Sequence, residues 1–222
     1  MKPFLLISTR DNDRAALAEY ASVARHAGLD PDDLVHVRLE AAPLTDFDLD
    51  LDAFAGIFLG GSSFNVSDAD KSPLQQRVED DLSLLLGVIV ASDQPFLGLC
   101  YGIGTMTAHL GGLVDRTYGE PVGAATITVT SAGRADPLLE GLPDRFEAFV
   151  GHKEGSNGVP SGVELLATGE ACPVQMYRVG ANVYVTQFHP ELDADDLAER
   201  MRIYQHAGYF RPDELEELVA MA

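Results

Sequence analysis

The feature that most constrains this chain is an alternation, over its first hundred residues, of short apolar runs with segments of helical period. Phe4 to Ser8 is the first such run, and Asp11 to Ala27 after it carries Ala16, Leu17, Tyr20, Val23 and Ala24 at helical spacing. Leu34 to Leu39 and Ala55 to Leu59 read as the next strands, the latter ending in Gly60 and Gly61. Pro73 opens a helix through about Ala91 with Val78, Leu82, Leu85 and Leu86 on one face, and Pro95 to Leu99 is the following strand. Strands separated by helices pair in parallel, because a hairpin cannot join them. The expected class is therefore α/β with a mostly parallel sheet.

The texture changes after a helix expected from Thr105 to Leu110. Short alternating segments follow at Ala125 to Val129, Glu147 to Val150, Val163 to Ala167, Val174 to Tyr177 and Val183 to Gln187, which predicts additional mixed or antiparallel strands in the second half. Helix returns at the end, with Asp193 as an N-cap, Asp195 and Asp196 in the first turn, and a last segment from Pro212 to Met221. With 222 residues and no linker or repeat, the expectation is one domain over 1–222, the C-terminal helices 193–222 packed on it.

A formal charge of −20, from 35 acidic and 15 basic residues, argues against nucleic acid and anionic lipid as partners. No apolar run is long enough to span a membrane and no signal-peptide pattern opens the chain, so a cytoplasmic location is expected. Cys100 and Cys172 form no CxxC pair, and His26, His36, His109 and His206 share no ligand spacing; neither disulfide, metal nor other cofactor is expected.

Three features carry chemistry. Gly98-Leu99-Cys100-Tyr101-Gly102 has the form of a nucleophile elbow, a sharp strand-to-helix turn that exposes its central residue and tolerates only small neighbours. A thiol nucleophile needs a base, and the base needs a group that fixes its tautomer. Phe188-His189-Pro190-Glu191, directly after an apolar strand, offers His189 and Glu191 for these roles. Finally, the strand ending in Gly60 and Gly61 is expected to leave amide hydrogens free for an oxyanion. Each feature falls at the end of a different expected strand, on the edge where open α/β sheets place their sites.

With these motifs, and with GGSSFNVSD at 60–68, GHKE at 151–154 and CPVQMY followed by VTQFHPE at 172–191, the chain resembles the class I glutamine amidotransferases, especially small free-standing proteins similar to the amidotransferase domain of GMP synthase. The resemblance implies a doubly wound, flavodoxin-like core. It implies a Cys100–His189–Glu191 triad that attacks the side-chain amide of glutamine, an oxyanion held by the amides of Gly61 and Tyr101, and a substrate pocket bordered by Gly60, Gly104, His152 and Glu154. Lys153 is expected to be exposed, and Cys172 and Met176 to be packing residues.

Two departures from the family pattern qualify the substrate. Gly104 stands where the family usually has a glutamine that contacts the substrate, and the chain has no room for an ATP-using synthetase domain. The readings left open are a glutaminase-type hydrolase working alone or with a separate acceptor or synthetase protein, a γ-glutamyl peptide hydrolase, and a catalytically silent binding module. An α/β-hydrolase is a weaker rival, since its acid precedes the histidine on another strand. A homodimer is compatible with each.

Overall fold

The computed structural model describes residues 2–221. Met1 and Ala222, the ends of the expected single domain, lie outside the described residues. Among the described residues eleven strands are formed: β1 Phe4–Ser8, β2 Leu34–Arg38, β3 Ile57–Leu59, β4 Phe96–Leu99, β5 Val114–Asp115, β6 Glu120–Val129, β7 Arg145–His152, β8 Gly155–Ser156, β9 Glu164–Thr168, β10 Met176–Val179 and β11 Val183–Thr186. The helices are α1 Asp13–His26, α2 Pro73–Ser92, α3 Tyr101–His109, α4 Ser131–Arg134, α5 Ala194–Ile203 and α6 Leu215–Met221.

Nine strands make one sheet in the order β2-β1-β3-β4-β11-β10-β9-β6-β7, while β5 and β8 pair separately. The block from β2 to β11 is parallel, and β10, β9, β6 and β7 extend it antiparallel. Strand pleating sends alternate residues to opposite faces. On one face Leu5, Ile7, Ile57, Leu59, Phe96, Val183 and Val185 pack with Val78, Leu82, Leu86 and Ile89 of α2 and Ile103 and Met106 of α3. On the other, Leu6 and Leu99 meet Val23 and Ala24 of α1. Burial on both faces is what a doubly wound parallel sheet requires, and it explains why these strands read as continuous apolar runs.

Helix ends follow their local chemistry. Asn12 caps α1 through Ala15 N (3.1 Å), Ser72 caps α2 through Gln75 N (3.1 Å) with Pro73 next, and Asp193 with Asp196 forms a reciprocal capping box on α5. One expected boundary is corrected: α3 begins at Tyr101, not Thr105. Gly102, read as part of the elbow turn, is helical and buried, and so is Gly104. A Cβ at Gly98 would stand 3.2 Å from the Gly102 carbonyl carbon, so strand and helix approach too closely for a larger residue there.

The C-terminal segment closes over the sheet's second half. Leu192, Leu197, Met201 and Leu215 form a cluster against Val122 and Phe149, and α5 packs along α1. This brings residues after α5 above the carboxyl ends of the parallel strands.

Candidate active site

Cys100 follows β4 with φ 52° and ψ −86°, a left-handed backbone that costs a non-glycine residue about 1–3 kcal/mol. Its amide donates to Thr186 O at 2.8 Å, which locks the elbow to the end of β11. Leu99 pairs with Thr186, so the chain leaving β11 passes beside Cys100. The His189 amide then donates to Phe149 O on β7 at 2.9 Å, and this bridge ties the His189 backbone to the antiparallel half of the sheet.

Nδ1 of His189 lies 2.7 Å from Glu191 Oε1, and both side chains are buried. Arg200 of α5 places Nη1 3.2 Å from the same carboxylate oxygen and 3.2 Å from His189 Nδ1. Burial alone pushes the imidazole down, but the neighbouring Glu191 and Cys100 outweigh it and hold His189 up to about 9. Burial pushes the Glu191 carboxyl up, yet His189 and Arg200 hold it down to about 2. Gln187, at the end of β11, directs its side-chain nitrogen to Cys100 Sγ at 3.8 Å. Neither Arg200 nor Gln187 was singled out by the sequence pattern. Gln187 at least sits inside the VTQFHPE motif, whereas Arg200 carries no signal beyond lying on a helix.

The glycine pair corrects one expectation. Neither amide is free: Gly60 N donates to Ile7 O at 2.9 Å and Gly61 N to Glu19 Oε1 at 3.0 Å. Glu19, on α1 and fully buried, also accepts from Ser8 Oγ and Arg10 Nε, each at 2.7 Å. A buried carboxylate needs every donor it can find, and the Gly61 amide is one of them. A Cβ on Gly60 would overlap the Glu19 carboxylate, so this glycine serves packing and lines neither hollow beside Cys100. Tyr101, as the first residue of α3, retains an amide that no intrahelical carbonyl can reach.

The GHKE segment lies near Cys100 with its polar groups committed elsewhere. His152, Glu154 and Gly104 line a hollow with Cys100 and Tyr101. Yet Glu154 accepts from Val66 N (2.7 Å) and Ser67 N (2.8 Å), clamping the loop after β3. A Cβ at Gly104 would meet Val66 Cγ2 at 3.4 Å and Glu154 Oε1 at 3.6 Å, ordinary contact distances, so a side chain there would start against the Glu154 clamp. Lys153 is half-buried rather than exposed: Nζ donates to Ala207 O at 2.7 Å and sits 4.3 Å from the Tyr209 ring centre, pinning the segment after α5.

A second cysteine, histidine and glutamate lie together. Donor atoms of Glu120, His152 and Cys172 fall within 4.8 Å of one another, a grouping that the sequence spacing does not announce and that has the donor types of a metal site. All three residues are buried. His152 faces Glu154 O through Nδ1 (2.7 Å) and Glu120 Oε2 through Nε2 (2.9 Å), and Gln175 Nε2 donates to the same Glu120 oxygen at 2.7 Å. Burial pushes the Cys172 thiol up to about 12, and it donates to Val174 O at 3.6 Å. Each partner is thus satisfied within the protein as a hydrogen-bonded network. His26 also approaches Asp193 and Asp196, on the exposed surface.

Taken together, a parallel α/β sheet with a thiol elbow and a histidine–carboxylate pair at its carboxyl edge defines a class of cysteine-centred α/β proteins. A sequence model of the family Glutamine amidotransferase class-I matches residues 33–201, more than half of the chain, and the protein belongs to that family. GMP synthase [glutamine-hydrolyzing] from Bacillus mycoides (strain KBAB4) is 36% identical over 99 residues, covering 44% of this chain and 19% of that protein. The protein of that name from Listeria innocua serovar 6a is 33% identical over 138 residues, covering 62% of this chain and 24% of that protein. The chain thus spans a quarter or less of the length of these curated relatives. Among solved structures, a glutamine amidotransferase from Thermotoga maritima superposes with a TM-score of 0.75 at 18% identity, over 100% of this chain and 95% of that one. A glutamine amido transferase from Methylobacillus flagellatus gives 0.72 at 20% identity, over 96% and 77% respectively. These structures share the fold.

Proposed function

We propose that the protein is a thiol hydrolase that cleaves the side-chain amide of glutamine or a related γ-glutamyl compound through a thioester on Cys100. The observation that carries this reading is the strained elbow, which presents a partly exposed Cys100 thiol to a buried imidazole whose far nitrogen is 2.7 Å from Glu191. Strain of this kind persists where a reactive atom must be held out of the backbone's path. The alternative grouping around Cys172 lacks this presentation, because its thiol is fully buried and bonded to a carbonyl. The acid follows the histidine by two residues, unlike the order in an α/β-hydrolase.

In this mechanism His189 carries the Cys100 proton as an imidazolium, the sulfur attacks the amide carbon, and the imidazolium gives that proton to the departing nitrogen. Water then attacks the thioester with His189 as base, releasing glutamate and the free thiol. Glu191 orients His189 and stabilises its charged form, as the raised histidine and lowered carboxyl indicate. The Tyr101 amide is an oxyanion donor that helix geometry leaves uncommitted. Gly104 and the clamp at Glu154 border the acyl group. The protein would act as a single cytoplasmic unit, its C-terminal helices included, and any ammonia would pass to a separate acceptor or synthetase protein, the function that the rest of the longer relatives would supply.

The engaged Gly61 amide favours a second reading, a silent module that keeps the fold without turnover. One experiment separates them. The electrophilic glutamine analogue 6-diazo-5-oxo-L-norleucine is expected to label wild-type protein at Cys100 and leave Cys100→Ala unlabelled, with glutamate release lost by at least about 10³-fold in the variant. Absence of labelling at any concentration selects the silent module.

A further inference from the structure

Cys100 opens on two unequal hollows. One is bordered by Tyr101, Gly104 and Gln187; the other by His189, Arg10, Arg200 and the segment after α5. Acid–base chemistry assigns them. His189 must protonate the nitrogen that leaves, so the leaving amine lies on the His189 side, and the acyl group lies towards the Tyr101 amide. Ammonia is a single heavy atom and needs no pocket. The His189 side nevertheless has a cavity of about 50 Å³ open to solvent, against about 20 Å³ on the acyl side.

The larger hollow has two chemistries. Leu192, Leu197, Met201 and Phe210 make its wall apolar. Arg10, only 3% exposed, supplies charge: Nε is held by Glu19 at 2.7 Å and Nη1 donates to Tyr204 Oη at 3.3 Å, while Nη2 has no hydrogen-bond partner among the described residues. Nη2 and His189 Cε1 lie 2.6 and 3.6 Å from the point where a Cβ on Gly61 would stand, so the unused donor and the imidazole flank one glycine. A buried guanidinium with an open edge calls for an anion. Its place beside His189 puts that anion within a bond or two of the leaving nitrogen, where the α-carboxylate of an amino acid would be.

Resting on the Cys100 thioester reading, we propose that the preferred substrate is a γ-glutamyl amino acid whose second residue has an apolar side chain. The carboxylate of that residue pairs with Arg10, and its side chain lies among Leu192, Leu197 and Met201. Sulfur bonds to the γ-carbonyl carbon as the C–N bond breaks, and the amino acid departs with the proton from His189. Water then cleaves the thioester, so one γ-glutamyl amino acid and one water yield glutamate and a free amino acid. Arg200, facing the same hollow, adds a field that disfavours cationic amines.

The test compares glutamate release from glutamine, γ-glutamyl-leucine and γ-glutamyl-isoamylamide, the last having the leucine side chain without the carboxylate. With wild-type protein, kcat/KM for γ-glutamyl-leucine is expected to exceed both others by at least about tenfold, the scale of one charge-assisted hydrogen bond. In Arg10→Met, its folding checked by circular dichroism, the leucine and isoamylamide rates converge. The substrate pair decides the matter even where that variant does not fold. Equal rates for the pair in wild-type protein, or a carboxylate preference that survives Arg10→Met, overturn the assignment. Glutamine as the best substrate overturns it too and leaves the thioester reading intact. Absence of turnover of all three overturns it as well, and absence of Cys100 labelling besides removes the reading on which it rests.

Discussion

His189 is held between burial, which favours the neutral ring, and two partners that favour the charged one. The partners win, and the ring's folded-state value of about 9 lies above the ordinary 6.5 of an exposed histidine. Its contribution to stability is therefore complete below about pH 6.5 and is lost as pH rises through about 9. Comparing wild-type protein with His189→Gln by urea unfolding across this range, the gap in unfolding free energy is expected to be widest near pH 6 and to narrow by up to about 3 kcal/mol by pH 10. A gap of constant width would show that the imidazole titrates alike in the folded and unfolded chain. Arg200 shares the Glu191 oxygen with His189 and helps to keep that carboxylate ionised, while the other carboxylate oxygen, Oε2, has no hydrogen-bond partner among the described residues.

At the level of elements, the parallel strands place the reactive groups and a helix behind them constrains the result. Glu19 of α1 reaches under the turn after β3 to take the Gly61 amide, Ser8 and Arg10 together. Removing one partner of a fully buried ion pair leaves the other charge uncompensated. Glu19→Gln is accordingly expected to destabilise the fold by about 3–5 kcal/mol, read from the urea midpoint at unchanged slope. A loss below about 1 kcal/mol would mean that Arg10 is solvated from the hollow. This helix also shows where sequence reading stops. Apolar residues at helical spacing fixed α1, and apolar runs fixed β1, β3, β4 and β11, because burial on two faces leaves a pattern in the chain itself. Cys100, His189 and Glu191 were legible because turn glycines and a proline mark strand ends. Glu19, Arg10 and Arg200 were not, since a charged residue on an amphipathic helix or at a strand end reads as solvated until the partner opposite it is known. The Gly61 amide was misread for the same reason: paired glycines announce a turn, and the carboxylate beneath lies more than forty positions away. Likewise GHKE announced a motif, but Glu120, which holds His152, belongs to a strand 32 residues earlier.

For the molecule as a whole, the nine-stranded sheet carries a charge of −20 on its surroundings. Among the described residues no helix is long and apolar enough to cross a membrane. The acidic excess is local as well as global. Between β2 and β3, Asp46, Asp48, Asp50 and Asp52 are exposed, interleaved with Phe47, Leu49 and Leu51 that pack on the core. The apolar partners fix that segment in place, so the carboxylates cannot separate without exposing them. The ion pairs that do form use most of the few arginines, at Arg10, Arg14, Arg25, Arg38, Arg77 and Arg178 among others, and leave this segment with none among the described residues. Repulsion between exposed carboxylates acts through solvent and is screened as the Debye length falls from about 10 Å at 0.1 M salt to about 3 Å at 1 M. It burdens the compact state more than the expanded one. Raising KCl from about 0.1 M to about 1 M at pH 7 is therefore expected to raise the Tm by at least about 4 °C, which for a chain of this size corresponds to roughly 1–2 kcal/mol. A Tm that stays level or falls over this range would mean that the paired charges, whose attraction salt weakens, outweigh the unpaired ones.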